Sequence, residues 1–306
     1  MPGSAAAVSK VEGRKRQSWR ASCREADFAA AVSLAGLAGL DHLDEIGLFI
    51  GVVRGLVVIP AYNEELNLPR VLDRLRASQL VEDVVVVNDG SKDGTERVLR
   101  ELGQEHLRHP INLGYVRAIQ TGIRYAMQQG YDYVVFLDAD GQHDPAAVPS
   151  LVNVLRGGTA DIVVGSRFVT DTGYRAPLGR RLGMKVFSWV TALLGRQRVY
   201  DTTSGFKAIA RRAFPVLVEQ TFGDFHSETL LLCMLLGLRV AEVPIQVAER
   251  RHGVSMYGPI DAILYPLKTL VAILLVYALA GSLRNKLRLA EPSQPALLGA
   301  AKPEKG

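Results

Sequence analysis

The strongest constraint on the fold is an alternation that starts at Leu56, where short apolar runs rich in Val and Ile take turns with amphipathic stretches. The runs cover residues 56–59, 83–87, 133–137 and 161–167. Runs this short and this apolar suit strands that are buried on both faces of a sheet. Because helical stretches separate them, the strands need right-handed crossovers, so the pattern predicts an α/β fold with a mostly parallel open sheet.

A polar cluster follows each of these runs. "PAYNEE" begins at Pro60, "NDGSKDG" at Asn88 and "DADGQHDP" at Asp138, and "GSR" ends at Arg167. In open α/β sheets, ligands bind beyond the carboxyl ends of the strands, where loops lead into helices. We therefore expect the four clusters to meet in one crevice. The sequence contains neither a P-loop nor a G-x-G-x-x-G fingerprint.

The acids of the third cluster predict a metal site. Asp138 and Asp140 lie two residues apart just after a strand, so in extended geometry their side chains leave on the same side. Two adjacent carboxylates need a counter-charge, and Mg²⁺ or Mn²⁺ prefers oxygen ligands and takes one or two carboxylates. Gln142 adds an amide oxygen. A helix cap before Pro145 accounts for Asp144 but not for Asp138 and Asp140. We therefore expect these two acids to bind a cation, whose remaining positions are filled by a diphosphate.

Composition narrows the class of protein. With 306 residues, of which 48% are hydrophobic and 22% charged, the chain can bury one large core. Its two cysteines, Cys23 and Cys233, exclude a disulfide framework and a cysteine-based metal site. The N-terminal residues 10–24 form a basic arm that suits an anionic membrane surface rather than nucleic acid.

The C-terminal part carries a long apolar stretch, residues 259–280. Three interpretations are open: a core helix, a transmembrane span, or an interfacial helix in the headgroup layer. Arg284, Lys286 and Arg288 follow at once and suit anionic headgroups. The predicted domain organisation has four parts: a basic, poorly ordered extension (1–54), a catalytic domain (55–258), a membrane-associated helix with its basic flank (259–288) and a disordered tail (289–306).

Six motifs, in order, resemble those of glycosyltransferase family two: "VVIPAYNEE", "VVVVNDGSKDGT", "NLGYVRAIQTG", "FLDADGQHDP", "VVGSRF" and "DTTSGFKAIAR". The resemblance covers about residues 56–280 and implies the glycosyltransferase A fold. The predicted fold class is therefore α/β of glycosyltransferase A type, to which the apolar stretch adds a C-terminal membrane-associated helix. Within the family, the chain is similar to enzymes of the dolichyl-phosphate mannose synthase kind, which glycosylate a polyprenyl phosphate.

The resemblance also implies roles for single residues. It implies a nucleotide-binding set from three loops: Pro60, Tyr62, Glu64, Asp89, Asp138, Ala139 and Asp140. The implied metal ligands are Asp138, Asp140 and Gln142. Arg167 would face phosphate and would count, with Asp140 and Arg250, among the catalytic residues.

The acceptor side is implied by "ERRHGVS", which matches the family pattern R-x-x-G-x-S at Arg250, Gly253 and Ser255. An arginine suits a phosphate because it can donate two parallel hydrogen bonds. Many relatives have a lysine after this serine, where this chain has Met256. Glu228 is a further acceptor contact.

The predicted activity is therefore metal-dependent, inverting transfer of a sugar from a UDP or GDP sugar to a polyprenyl phosphate, at the cytosolic face of the membrane. The protein would be a peripheral membrane protein or be anchored by one helix. A membrane protein is a possible partner, and no binding to nucleic acid is expected. Three alternatives stay open. In the first, the acceptor is a saccharide hydroxyl and Glu228 is the general base. In the second, the chain is a haloacid-dehalogenase-like phosphatase, because "FLDADG" also matches the signature of that family. In the third, it is an inactive membrane scaffold.

Overall fold

The computed structural model describes residues 53–78, 80, 82–170, 178–219, 225–247 and 259–287. These residues belong to one compact unit that begins at Val53. The basic arm, the acceptor-side residues Arg250 and Ser255, and the C-terminal tail from residue 288 lie outside the described residues.

Seven strands form one sheet in the described part of the chain. Their bounds are β1 Gly55–Ala61, β2 Asp83–Asn88, β3 His106–Arg108, β4 Tyr133–Phe136, β5 Ile162–Ser166, β6 Lys207–Ala210 and β7 Val240–Pro244. The order across the sheet is β3-β2-β1-β4-β6-β5-β7. Strand β6 runs antiparallel to both of its neighbours, and the other pairs are parallel. The predicted α/β fold with a mostly parallel sheet is confirmed.

Eight α-helices accompany the strands within the described residues. Their bounds are α1 Leu68–Ala77, α2 Thr95–Glu101, α3 Tyr115–Gln129, α4 Val148–Arg156, α5 Leu178–Gly195, α6 Phe214–Glu219, α7 Ser227–Leu235 and α8 Pro259–Leu287. Short 3₁₀ turns at Pro145–Ala147 and Arg211–Ala213 lead into α4 and α6.

The strands are buried on both faces, as their apolar composition predicts. Alternate residues of β1 belong to two separate cores: Leu56 and Val58 to one, Val57 and Ile59 to the other. The first core is closed by α3, α5, α6, α7 and α8, and the second by α1, α2 and α4. The molecule therefore has three layers, helices on either side of the sheet.

Two features of the sheet go beyond the prediction. Strand β3 has only three residues, too few to show a periodicity in the sequence. Strand β6 lies between β4 and β5 although it follows both in the chain. Its direction brings the loop that precedes it, residues 201–206, to the edge of the sheet where β4 and β5 end.

Helix α8 has one buried and one exposed face over the residues whose side chains are described. Thr269, Ile273, Val276 and Ala280 are buried at the three-to-four-residue spacing of one helix face. This face packs against α7 and α5. None of the helices in the described ranges is both long enough and apolar enough to cross a membrane.

Candidate active site

The first two loops at the carboxyl edge of the sheet are bound to each other. The Asp89 amide donates to the Ala61 carbonyl at 2.8 Å, which holds the ends of β1 and β2 together. Farther out, the Glu64 amide donates to Thr95 Oγ1 at 2.9 Å. The Lys92 amide donates to the Asn63 side chain at 2.8 Å. The two loops therefore form one wall of the crevice.

Asp89 is almost fully buried in this wall. Its Oδ1 contacts His109 Nδ1 at 2.6 Å and accepts a hydrogen bond from the Leu113 amide at 2.9 Å. Its Oδ2 accepts from the Gly114 amide at 2.8 Å. Asp89 thus fixes the start of α3, and a carboxylate oxygen that accepts one bond can accept one more. The nucleoside contact implied for Asp89 stays a prediction, with Oδ2 as the oxygen that can make it.

The residues implied for the nucleoside on the first loop differ in exposure. Pro60 is buried within β1, beside Val87 of β2. Tyr62 is exposed, so its ring is accessible for stacking. Glu64 is half-buried and accepts a hydrogen bond from the Asn67 side-chain amide at 2.6 Å. The structure brings all three to the wall of the crevice.

The acidic cluster directly follows β4. Ala139 is buried in the core, whereas Asp138, Asp140 and Gln142 are half-buried, so the chain alternates between inside and outside at this turn. Asp140 Oδ1 accepts a hydrogen bond from the Gln142 amide at 3.0 Å. Gly141, with φ of 74°, takes the left-handed conformation that turns the chain away from the sheet. Asp138, Asp140 and Gln142 thus all keep part of their surface exposed at the turn that follows β4.

Asp138 is held in place from three directions. The Tyr115 hydroxyl donates to its Oδ1 at 3.1 Å. His143 Nδ1 lies 3.5 Å from its Oδ2, and the imidazole stacks on Phe206 with ring centroids 5.1 Å apart. Gly205 packs so closely that an added Cβ would lie 2.7 Å from Asp138 Oδ2. Burial lowers the pKa of His143, against the opposite effect of Asp138 and Asp140.

The donor set fits a hard divalent cation. Among the residues with described side chains, no group of three or more His, Cys, Asp or Glu forms a ready-made metal cage. Mg²⁺ and Mn²⁺ do not need one, because one or two carboxylates, water and phosphate oxygens complete their shell. Asp138 keeps 28% of its side-chain surface exposed. Asp138 and Asp140, with the amide oxygen of Gln142, therefore offer an oxygen-only edge that suits such a cation.

Arg167 follows β5 and makes a two-point ion pair with Asp201. Its Nε and Nη2 each lie 2.7 Å from one Asp201 oxygen, and Nη2 also donates to Thr203 Oγ1 at 3.0 Å. Asp201 is fully buried. Burial raises the pKa of its carboxyl, but the hydrogen bonds and charge of Arg167 outweigh this, so the pKa lies below its ordinary value. The phosphate contact implied for Arg167 stays a prediction, and the guanidinium that would make it is already oriented.

Glu228 lies in the first turn of α7 and is almost fully buried. Its Oε1 accepts a hydrogen bond from the His226 amide at 3.2 Å. The next residue back, Ser227, donates its hydroxyl to Thr202 Oγ1 at 2.7 Å. The start of α7 is therefore attached to the loop before β6.

The fold and the site together define an α/β enzyme with an acidic crevice at the carboxyl edge of its sheet. Residues 56–216, more than half of the chain, match the family described as Glycosyl transferase family 2. The chain belongs to this family and is a glycosyltransferase. This assignment removes the phosphatase and scaffold alternatives.

Named relatives are similar over most of their length. The chain is 33% identical over 220 residues to the undecaprenyl-phosphate mannosyltransferase of Micrococcus luteus, and the match covers 66% of this chain and 87% of that protein. It is 32% identical over 220 residues to the UDP-N-acetylglucosamine--dolichyl-phosphate N-acetylglucosaminyltransferase of Methanococcus voltae, covering 65% and 87%.

A solved structure shares the fold. It is glucosyl-3-phosphoglycerate synthase from Mycobacterium tuberculosis in complex with Mn²⁺, uridine diphosphate and glucosyl-3-phosphoglycerate. The TM-score is 0.54 at 23% identity, and the match covers 74% of this chain and 80% of that one. The comparison supports the glycosyltransferase A type of fold.

Four residues near the site were not singled out by the sequence: Tyr115, His143, Asp201 and Lys207. All four stand inside the six motifs, and Asp201 is the only acid of "DTTSGF". The one sequence signal that could have pointed to Asp201 is its place as an acid at the first position of a motif that follows a helical stretch.

Proposed function

We propose that this glycosyltransferase moves a sugar from a nucleoside-diphosphate sugar to a polyprenyl phosphate at a membrane surface. The observation that carries the proposal is the placement of Asp138 and Asp140. Both residues are half-buried just after β4, the strand next to β1, whose end is bound to the end of β2. Relatives named for undecaprenyl phosphate and dolichyl phosphate support the choice of acceptor.

The donor would bind along the carboxyl edge of β1, β2 and β4. Tyr62, Glu64 and Asp89 would contact the nucleoside, and Pro60 and Ala139 would shape the backbone around it. Asp138, Asp140 and Gln142 would hold Mg²⁺ or Mn²⁺ against the diphosphate. The cation, when bound, supplies Lewis-acid stabilisation of the charge that develops on the departing diphosphate.

A phosphate acceptor does not need to be deprotonated by the protein. A phosphate oxygen is already anionic at neutral pH, so no strong general base is needed to activate it. Arg167, with its guanidinium fixed by Asp201, is suited to orient a phosphate group. Glu228 is buried and bonded to the His226 amide, which suits a role in shaping the acceptor side. Arg250 and Ser255 are proposed as further acceptor contacts and lie outside the described residues.

An apolar surface supports contact with a membrane. On α5, Val186, Trp189 and Leu193 are exposed at the spacing of one helix face, with Trp189 at 67%. The packed helix α8 exposes a second set: Leu270, Val271, Leu274, Leu275, Tyr277 and Leu279. Exposed apolar patches of this extent mark interaction sites.

The charges of the same two helices agree with an anionic lipid surface. Helix α5 carries three basic residues and no acid, and α8 carries three basic residues and one acid. Basic residues next to an apolar helix face favour contact with anionic headgroups. The proposed location is therefore the membrane surface, where the acceptor lipid is found.

The deciding experiment combines the purified protein and membranes with a panel of labelled UDP and GDP sugars. Label that becomes extractable into organic solvent, and only in the presence of Mg²⁺ or Mn²⁺, supports the proposal. The panel also identifies the nucleotide and the sugar. Label that stays in the aqueous phase on a saccharide would favour a hydroxyl acceptor instead.

A further inference from the structure

Lys207 is a buried cation at the floor of the crevice. It is the first residue of β6 and is 2% exposed. Burial of an ammonium group is expensive unless hydrogen bonds and opposite charges compensate for it. Burial lowers the pKa of Lys207 to about 8, although the carboxylates of Asp201, Asp138 and Glu228 act in the opposite direction.

The ammonium group joins two separate segments. Lys207 Nζ donates to the Ser204 carbonyl, in the loop before β6. It also donates to the Phe225 carbonyl at 3.2 Å, just before α7, and lies 5.4 Å from the centroid of the Phe225 ring. These bonds connect the loop of residues 202–206 to the segment of residues 225–228.

Phe225 shows that the second segment is held under constraint. Its φ of 64° places a bulky, non-glycine residue in the left-handed region. Such conformations persist when the surroundings fix them. Here the ring packs edge-on against Phe136, with centroids 5.8 Å apart, and the carbonyl is bound by Lys207. The Ser227–Thr202 hydroxyl bond adds a second connection between the same two segments.

The first segment in turn supports the metal-binding edge. Gly205 approaches Asp138 so closely that a Cβ there would meet its Oδ2 at 2.7 Å and the Tyr115 hydroxyl at 3.0 Å. A movement of the 202–206 loop would therefore change the space available to the Asp138 carboxylate. The second segment carries Glu228, on the proposed acceptor side.

We propose that Lys207 is a positioning residue: through Ser204 and Phe225 it fixes the 202–206 loop against Asp138 and the 225–228 segment beside it. The inference rests on the proposed function, which assigns Asp138 to the donor side and Glu228 to the acceptor side. Lys207 itself touches neither donor nor acceptor. It couples the geometry of the side that binds the diphosphate to the side that receives the sugar.

The first test is amide hydrogen exchange of the protein without metal or nucleotide, in the wild type and in Lys207→Met. Methionine fills a similar volume but cannot donate to either carbonyl. Loss of hydrogen bonds from a charged donor should speed exchange about tenfold or more in residues 202–206 and in residues 225–228. Unchanged exchange in either segment would overturn the proposal.

The second test measures Mn²⁺-dependent binding of UDP by calorimetry and the kcat for transfer to a polyprenyl phosphate. Lys207→Met should weaken the binding and lower kcat, each by about tenfold, because one lost positioning contact of this kind is worth that factor. The matched control is Ile209→Val, on the same face of β6, which loses packing but no hydrogen bond. It should change neither quantity.

Three further outcomes separate the hypotheses. If Lys207→Met and Ile209→Val alter binding and kcat alike, Lys207 is only part of the core and the proposal fails. If Lys207→Met does not fold, Lys207→Gln takes its place; the shorter side chain cannot reach both carbonyls as the lysine does, so exchange should rise in residues 202–206, in residues 225–228 or in both, and no rise in either segment overturns the proposal. If the wild type binds GDP but not UDP, the second test is run with GDP; if it binds neither nucleotide with Mg²⁺ or Mn²⁺, the proposed function fails, and the exchange measurement still decides the role of Lys207.

Discussion

The two ends of β5 carry the same kind of ion pair in different surroundings. At the amino end, Asp161 accepts hydrogen bonds from Arg239 and Arg212, with the nearest side-chain nitrogens at 3.2 Å. At the carboxyl end, Arg167 pairs with Asp201 at 2.7 Å. In both cases burial raises the pKa of the carboxyl, and bonds from arginine outweigh it and hold the pKa below its ordinary value.

The difference lies in what surrounds each pair. The Arg239 side chain is 48% exposed, so water shares its charge, whereas the Arg167 side chain is 14% exposed. Arg167 donates to Thr203 in the 202–206 loop, and its charge acts on His143, which lies 3.5 Å from Asp138. The ion-pair chemistry alone is therefore a poor guide to function, and the edge of the sheet on which it occurs is a good one.

The largest expected effect comes from the acids after β4. Asp140→Ala should lower the rate of transfer by at least about a thousandfold, because a lost cation site removes several kcal/mol of transition-state stabilisation. The fold should stay intact by circular dichroism. The matched control is Asp132→Ala at the opposite end of the same strand, where the carboxylate accepts a hydrogen bond from the Arg54 amide. Turnover by Asp140→Ala at the wild-type rate would contradict the metal assignment.

The two ion pairs of β5 can be compared directly. Asp201→Asn leaves the Arg167 charge buried without its partner and should cost about 3 kcal/mol in the free energy of unfolding. Asp161→Asn should cost about 1 kcal/mol, because Arg239 can turn to water. Urea denaturation measures both.

Activity provides the second half of this comparison. At matched folded fractions, Asp201→Asn should also lower kcat, whereas Asp161→Asn should leave it unchanged. Equal effects of the two variants on kcat would mean that the edge of the sheet does not distinguish them.

A third prediction uses pH. Because burial lowers the pKa of Lys207 to about 8, the unfolded chain binds this proton more tightly than the folded chain. The free-energy cost of burying the charged Lys207 ammonium group is largest at low pH and decreases as the pH rises toward the ordinary pKa of lysine. The stability of the wild type minus that of Lys207→Met should therefore rise by about 2 kcal/mol from about pH 8 to about pH 10.

Urea unfolding without metal at several pH values measures this difference, and titrating groups that do not interact with Lys207 cancel between the two proteins. A difference that stays constant with pH would show that Lys207 titrates as an exposed lysine does.

The smallest expected effect concerns the apolar surface of α5, which is proposed to contact the membrane. Trp189→Ser should weaken binding to vesicles with anionic lipid by about tenfold, since a Trp side chain that enters the interface contributes about 1–2 kcal/mol. Co-sedimentation measures the binding. Met127→Ser, which removes an exposed apolar side chain from α3, is the control and should bind as the wild type does. Equal binding by all three proteins would remove α5 from the proposed surface.

The sequence predicts the half of the site that depends on local order. Each of β1, β2, β4 and β5 is an apolar run that leads into a polar cluster, so the order of residues alone places Asp89, Asp138 and Arg167 at one edge of the sheet. The carboxyl ends of parallel strands lie at the same edge of a sheet, so the order of strands and loops is enough to bring these residues together.

The other half depends on pairings between distant residues. Arg167 and Asp201 lie 34 positions apart, and the position of β6 between β4 and β5 cannot be read from an alternation of runs. Lys207 stands in "FKAIAR", where a lysine at the start of a strand is typical of a solvent-facing position. Only the three-dimensional packing shows that its side chain points inward.

The direction of β6 has a consequence for how this enzyme can change in evolution. The chain leaves the crevice rim after Arg167 and comes back to the same rim at Asp201, so the whole intervening excursion, α5 included, starts and finishes at one place. Such an insertion can lengthen, shorten or change its surface without any alteration in strand order. Descendants can therefore differ in the surface that α5 presents while the strands that carry Asp89 and Asp138 stay the same.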